Sequence, residues 1–343
     1  MRFLSIDNII PGTRLAKPLY GVQGIVLLRE NAELTDVILN RLKEIGYTGL
    51  YIEDEISEGI QIPDIIDEKL RLEAAYRLES IVNGNGNIAE MMPVISEIVD
   101  NIISKDNIVL NMNQLRGHHE YTYLHCVNVG ILSVSIGIKL GLTRERLLNL
   151  GTAGILHDIG KKYIPLEILD KPWKLDYEEF ETIKKHPTFG YEMLTDLHEI
   201  AKEAKLGVLQ HHERYDGSGY PKGLKAHEIS LFGRILAVAD TYDAMTSDRA
   251  YRNAFLPSEA VEYLMGSGNS LYDSEIIDKF SKCITVYPIG TCVELSNGIK
   301  AIVLENYSDC ILRPLVRDLQ TREQIDLKNN NEYYNICIAK IIM

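Results

Sequence analysis

The amino-acid sequence predicts a mainly α protein. An all-helical block over residues 110–283 is preceded by a small α+β module (1–60) and a helical connector (61–109), and followed by a small β-rich appendix (284–343). Helical apolar periods dominate from Gly117 to Phe280. Residues 1 to about 55 instead alternate short β-like runs with glycine-containing turns. Beyond Ile284 runs of Val, Ile and Leu alternate again, and Asn297-Gly298 between two of them is a short-range hairpin signal.

In the first module, residues 25–28 and 49–52 read as strands, and residues 35–45 as a helix that Gly46 closes. After the acidic turn Glu53–Glu58 a helix is expected over 65–82; NGNGN at 83–87 breaks it, and a second helix follows over 88–103. In the helical block, breaks are expected at Gly141, Gly160, Pro172, Pro187, the 215–223 segment and Pro257.

Of 343 residues, 45% are hydrophobic and 25% charged, proportions that allow a sizeable core and exclude a disordered or fibrous chain. Asp and Glu number 49 against 36 Lys and Arg, a net charge of −13, which disfavours long nucleic acid as a partner. The longest apolar stretch, residues 130–138, is far short of the roughly 20 residues that span a bilayer. The N-terminus also lacks a signal peptide's charged start and long apolar centre, so a cytoplasmic protein is expected. The cysteines (Cys126, Cys283, Cys292, Cys310, Cys337) form no CxxC pair and read as reduced thiols, so any metal must use other ligands.

The chemistry concentrates in histidines of the helical block. His125 sits in a segment apolar nearly all round, hence on a central buried helix. Alone it would read as a core histidine satisfied by a carbonyl. His157-Asp158 ends an apolar helix before Gly160, a glycine suited to a helix C-cap, and the two oxygens of Asp158 can bridge two ions. His211-His212 follows another helix, and His186 precedes Pro187, where a helix is expected to stop. Asp240 lies in the apolar run LFGRILAVADTYDAM, where an aspartate needs a cation.

The order H (125), HD (157–158), H (186), HH (211–212), D (240) resembles the HD-GYP family, a branch of the HD-domain metal-dependent phosphohydrolases. Supporting motifs are H-D-I-G-K at 157–161, H-P at 186–187, H-H-E-R-Y-D-G-S-G-Y-P at 211–221 and D-T-Y-D-A-M-T-S-D-R-A-Y-R at 240–252. The resemblance covers residues 110–280 and implies an HD-type helical fold. It places His125, His157, Asp158 and Asp240 around one metal, and His186, His211, His212 and the shared Asp158 around another. Relatives thought to hold a third metal carry a Glu four residues before the first histidine. Here that position is Tyr121, with Glu120 one place off and turned about 100° on a helix, so two metals are expected.

Nitrogen and oxygen ligands without sulfur suit Fe, Mn, Zn, Co or Ni, and affinity order does not choose among them; two divalent ions are expected, with Fe or Mn preferred. Such a pair can activate a water for in-line attack on a phosphodiester. Lys161 and Asp158 are the catalytic candidates, Lys161 being placed to neutralise a phosphate oxygen or protonate the leaving oxygen. Cys126 reads as a core thiol rather than a nucleophile. Tyr220, presented by the 216–221 loop with its two glycines able to take positive φ, joins Lys161, Asp243, Arg249 and Arg252 as expected substrate-binding residues. Asp243 can also orient a ligand. The resemblance implies hydrolysis of cyclic di-GMP to linear pGpG or on to GMP. The alternatives are a cyclic-dinucleotide-binding signalling module with little turnover, or an HD-type hydrolase of another nucleotide. A homodimer and a protein partner reached through the flanking modules are compatible with the sequence.

Overall fold

The computed structural model describes residues 1–343 except 22–23, 63, 106–109, 111–120, 172, 248–253 and 343. The four segments expected from the sequence fold into two units. Residues 1–65 and 284–343 belong to the smaller one, and Leu110 joins it through a parallel bridge to Ile284.

In the smaller unit β1 (Arg2–Ser5), β2 (Arg14–Leu15), β3 (Leu19–Tyr20), β4 (Val26–Leu28), α1 (Asp36–Glu44) and β5 (Gly49–Glu53) come first. β5 pairs antiparallel with β1 on one side and β2 on the other, while β3 and β4 form a separate ribbon. The Thr35 hydroxyl accepts from the Ile38 amide and so caps α1, whose Leu39 and Leu42 close over Leu15, Leu34 and Leu50. The C-terminal part supplies β6 (Cys292–Leu295), β7 (Lys300–Glu305), β8 (Leu315–Asp318), β9 (Gln324–Asp326) and β10 (Ile338–Ile342), in the sheet order β10-β6-β7-β8-β9. Asn297-Gly298 turns β6 into β7, with Gly298 N donating to Leu295 O at 2.9 Å. Alternation along these strands separates two faces. Val293, Ala301, Val303 and Val316 share one core, whereas Cys292 and Ile302 pack with Ala16, Tyr51, Ile60 and Ile62 from the N-terminal part.

The larger unit is helical: α2 (Glu68–Val82), α3 (Ile88–Ile103), α4 (Tyr121–Lys139), α5 (Arg144–Leu156), α6 (Leu166–Leu169), α7 (Tyr177–Ile183), α8 (His186–Thr195), α9 (Lys202–Gln210), α10 (Leu231–Thr246), α11 (Pro257–Gly266) and α12 (Ser274–Ser281). Asp67, Asn87, Thr143 and Ser230 cap α2, α3, α5 and α10 with side-chain oxygens. As expected from its apolar surface, α4 is central: Val127, Val129, Leu132, Val134 and Ile136 are fully buried, and α2, α3, α5, α10 and α12 pack on it. α4 and α5 cross closely because both residues at the contact lack a Cβ; one built on Gly154 would lie 2.6 Å from the Gly130 Cα.

The expected breaks at Pro187 and Pro257 are present, and each proline stands in the first turn of the helix that follows, α8 or α11, where a first-turn N–H has no intrahelical acceptor and proline loses nothing. One local expectation changes. Gly160 does not cap α5. His157 does, and Gly160 lies in a 3₁₀ turn, Ile159–Tyr163, pressed against the start of α8.

Candidate metal centre

Three helix ends and two helix interiors supply the site. α5 ends at Leu156, α7 at Ile183 and α9 at Gln210, each leaving terminal carbonyls without intrahelical donors. The nearby histidines use them. Nδ1–H of His157 donates to Gly154 O at 2.8 Å, that of His186 to Ile183 O at 2.7 Å, and that of His211 to Val208 O at 2.7 Å. A carbonyl only accepts, so each Nδ1 carries the proton and each Nε2 presents a lone pair.

Those lone pairs converge. The Nε2 atoms of His186 and His211 are 3.2 Å apart, a contact that two acceptors satisfy only with a cation between them. His157 Nε2 is buried and has no hydrogen-bond partner. The partial negative charge at the ends of α5 and α9 favours a cation in the same place.

Asp158, one residue beyond His157, reaches both sides. Its Oδ1 is 3.2 Å from His186 Nε2 and 3.9 Å from His211 Nε2, and its Oδ2 is 3.3 Å from His157 Nε2. Two groups of side chains able to hold an ion therefore share Asp158: one with His186, His211 and His212, the other with His125 and His157. Asp240, from the middle of α10, stands across the site with Oδ1 3.2 Å from His125 Nε2 and 4.0 Å from His157 Nε2, and Oδ2 4.0 Å from His212 Nδ1. An unpartnered His157 Nε2, the facing Nε2 atoms of His186 and His211, the buried Asp158 and half-buried Asp240 carboxylates, and no thiolate among the described residues at the cluster fit hard or borderline divalent ions.

Burial and the mutual field set the charges. Burial opposes ionisation of Asp158 and Asp240, yet His157 and Lys161 beside the first, and His125 beside the second, hold both well below the usual carboxylate range. Burial likewise disfavours a charged His125, but its hydrogen bonds to Asp240 and Asp243 push it up to about 9. Burial and the neighbouring imidazoles drive His211 and His212 well below the ordinary histidine value, so they stay neutral and able to ligate. Burial raises the Cys126 thiol well above its normal value, which removes it as a nucleophile.

Around the candidate ligands, Lys161 places its ammonium 2.6 Å from Asp158 Oδ2 with its side chain one-third exposed, at the open edge of the cluster. The Tyr220 ring stacks on the His212 imidazole, centroids 4.8 Å apart and planes at 29°. Of the loop glycines, only Gly217 takes a positive φ (+86°). Gly219 is needed for space, since a Cβ there would lie 2.3 Å from Arg214 N. Asp243, expected to touch substrate or orient a ligand, is buried behind His125: its Oδ2 accepts from His125 Nδ1–H at 2.7 Å and its Oδ1 from Asn128 Nδ2 at 2.9 Å. That is the orienting position. Arg249, Arg252, Glu120 and the Tyr121 side chain lie outside the described residues.

Two residues at the site escape sequence reasoning. Glu213, almost fully buried, accepts from the amides of Lys222 and Leu224 at 2.8 and 3.0 Å and so folds the loop that carries Tyr220. Asn128 lies three residues after His125, and a lone amide in that apolar run, on the histidine's own face, is the signal that could have found it.

A profile of the HD domain family matches residues 97–276. A cyclic di-GMP phosphodiesterase of Pseudomonas aeruginosa is 38% identical over 229 residues, 67% of this chain and 55% of its own length. A 3'3'-cGAMP-specific phosphodiesterase of Vibrio cholerae is 32% identical over 197 residues, 56% of this chain and 37% of its own. The chain thus spans about half the length, or less, of these relatives. Among solved structures, an HD-G"Y"-P protein from Bdellovibrio bacteriovorus superposes with a TM-score of 0.53 at 19% identity, covering 81% of this chain and 97% of that one, a likeness of fold.

Proposed function

Since the chain belongs to the HD-domain family and carries the motifs of its HD-GYP branch, we propose that it is a metal-dependent phosphodiesterase that opens cyclic di-GMP to linear pGpG or on to GMP. The observation that carries this reading is Asp158, whose two oxygens lie within 4 Å of the ring nitrogens of His157, His186 and His211. His125, His157, Asp158 and Asp240 would hold one divalent ion, and His186, His211, His212 and Asp158 the other, with Fe or Mn the preferred pair. When bound, such a pair polarises water and the phosphodiester oxygens.

The chain's own residues then do the rest. Three imidazoles pinned on helix-end carbonyls keep their ligand atoms aimed without reorganisation. Lys161, at the edge of the site, neutralises a phosphate oxygen or protonates the leaving oxygen. Tyr220 walls the site over His212 and offers a ring face to a nucleobase. Cyclic di-GMP is the substrate named for the Pseudomonas relative, and the Vibrio relative makes the hybrid cyclic dinucleotide the competitor to exclude.

The test incubates metal-loaded protein separately with cyclic di-GMP, 3'3'-cGAMP and nucleoside triphosphates and separates the products by chromatography. Linear pGpG or GMP from cyclic di-GMP is expected; tight binding without product, or faster cleavage of the hybrid, overturns the assignment. Lys161→Ala is expected to lower kcat by about 10²–10³ while metal content, read by elemental analysis, stays at the wild-type level. An equal fall in metal content would make Lys161 a structural partner of Asp158.

A further inference from the structure

Behind His125 runs a chain of polar contacts that ends on α2, at a residue outside the 97–276 match. Asp243 is 1% exposed and buries a carboxylate whose oxygens are taken by His125 Nδ1–H and Asn128 Nδ2–H. Asn128, also 1% exposed, turns its other amide atom, Oδ1, to the Arg71 guanidinium, which donates to it through Nη2. Arg71 is held in turn near Glu68, with Nη1 3.5 Å from Oε2.

Donor and acceptor chemistry makes this chain one-directional. A guanidinium has only donors, so it requires the oxygen of Asn128 and leaves the NH₂ facing Asp243. A carboxylate has only acceptors, so it requires that NH₂ and a proton on His125 Nδ1. With Nδ1 turned to Asp243, Nε2 is the nitrogen that faces Asp240 and the centre, 3.2 Å from Asp240 Oδ1. Flipping the Asn128 amide would set its oxygen against the carboxylate and its NH₂ against the Arg71 guanidinium, so Arg71 penalises that flip from the far side.

From this geometry we infer that Arg71 is a positioning residue for the metal centre: acting through Asn128 and Asp243, it fixes the tautomer and aim of His125. The inference rests on the ligand role proposed above for His125. Outer partners of metal-bound histidines are typically worth 10–100-fold in metal affinity. Arg71 acts two side chains further out than Asp243, and its loss is expected at the lower end of that range.

The experiment measures Mn²⁺ affinity of the full chain by competition with a chromophoric chelator, together with the melting temperature of chelator-treated protein. Arg71→Met, which removes every donor, is expected to weaken Mn²⁺ binding about 10-fold with little change in the metal-free melting temperature. Arg71→Lys, which keeps a donor for Asn128 Oδ1, is expected to stay within about 3-fold of wild type. Arg71→Met added to Asp243→Asn should cost almost nothing further, because the link it feeds is already cut. If Arg71→Met does not fold, Asn128→Asp, which sets a second carboxylate against Asp243, is expected to lose at least as much affinity. Wild-type affinity in folded Arg71→Met, or in Asn128→Asp where it replaces that variant, overturns the inference, as do equal losses in the Met and Lys variants or additive losses with Asp243→Asn. Mn²⁺ binding is read whether or not any dinucleotide is cleaved, so failure of the proposed substrate leaves this test intact.

Discussion

Asp158→Ala is expected to strip the metal from both halves of the centre and to abolish hydrolysis, lowering kcat/KM by at least about 10³, the equivalent of roughly 4 kcal/mol of transition-state stabilisation. The size follows from sharing. Asp158 belongs to both groups of side chains able to hold an ion, facing His186 and His211 with one oxygen and His157 with the other at 3.2–3.9 Å, whereas Asp240 reaches His212 only at 4.0 Å. Its loss also deprives the Lys161 ammonium, 2.6 Å away, of its ion-pair partner. Elemental analysis after purification, alongside turnover of cyclic di-GMP, checks the prediction. A variant that retains near-stoichiometric metal would refute the shared role.

Gly160→Ala is the second large effect, and it acts through shape. A Cβ on Gly160 would lie 2.0 Å from His186 O and 2.4 Å from Gly190 N, both backbone atoms that cannot rotate away. The first turn of α8 would have to back off the Ile159–Tyr163 turn, and His186 is the first residue of that helix. Overpacking of this severity is expected to cost about 3 kcal/mol or more, a fall of about 6–12 °C in the melting temperature of the helical unit. Displacement of His186 should weaken metal binding as well. A thermal melt paired with an Mn²⁺ titration separates the two effects, and wild-type values in both would show that α8 yields more easily than packed backbone does.

The candidate ligands were legible in the sequence because each breaks a local rule. His125 and Asp240 are polar in apolar helices, and His157, His186 and His211 stand next to or just past helix ends; such residues announce themselves one at a time. What escaped is relational. Gly160 reads as a cap because glycine serves both positive φ and close approach, and only the neighbouring α8 shows that the second use applies. Pro187 stops one helix and starts another with the same ring, so the sequence marks a boundary without its direction. Asp243 could be seen to share a helix face with Asp240, but not that His125 and Asn128 occupy both its oxygens, since those come from a helix 115 and more residues away. Arg71 carries no local signal at all: on an amphipathic helix it resembles any solvated arginine until Asn128 is placed beside it.

The same blindness to distance covers the smaller unit, where Ala16, Tyr51, Ile60 and Ile62 share a core with Cys292 and Ile302. As polymer physics, that contact closes a circuit. Residue 62 and residue 292 are brought together across about 230 intervening positions, at an entropic cost whose logarithmic part is about 5 kcal/mol. Helices linked by short connections close far smaller loops, so on contact-order grounds the histidine-bearing bundle is expected to condense before head and tail join, an order that pulse-labelled hydrogen exchange during refolding would check.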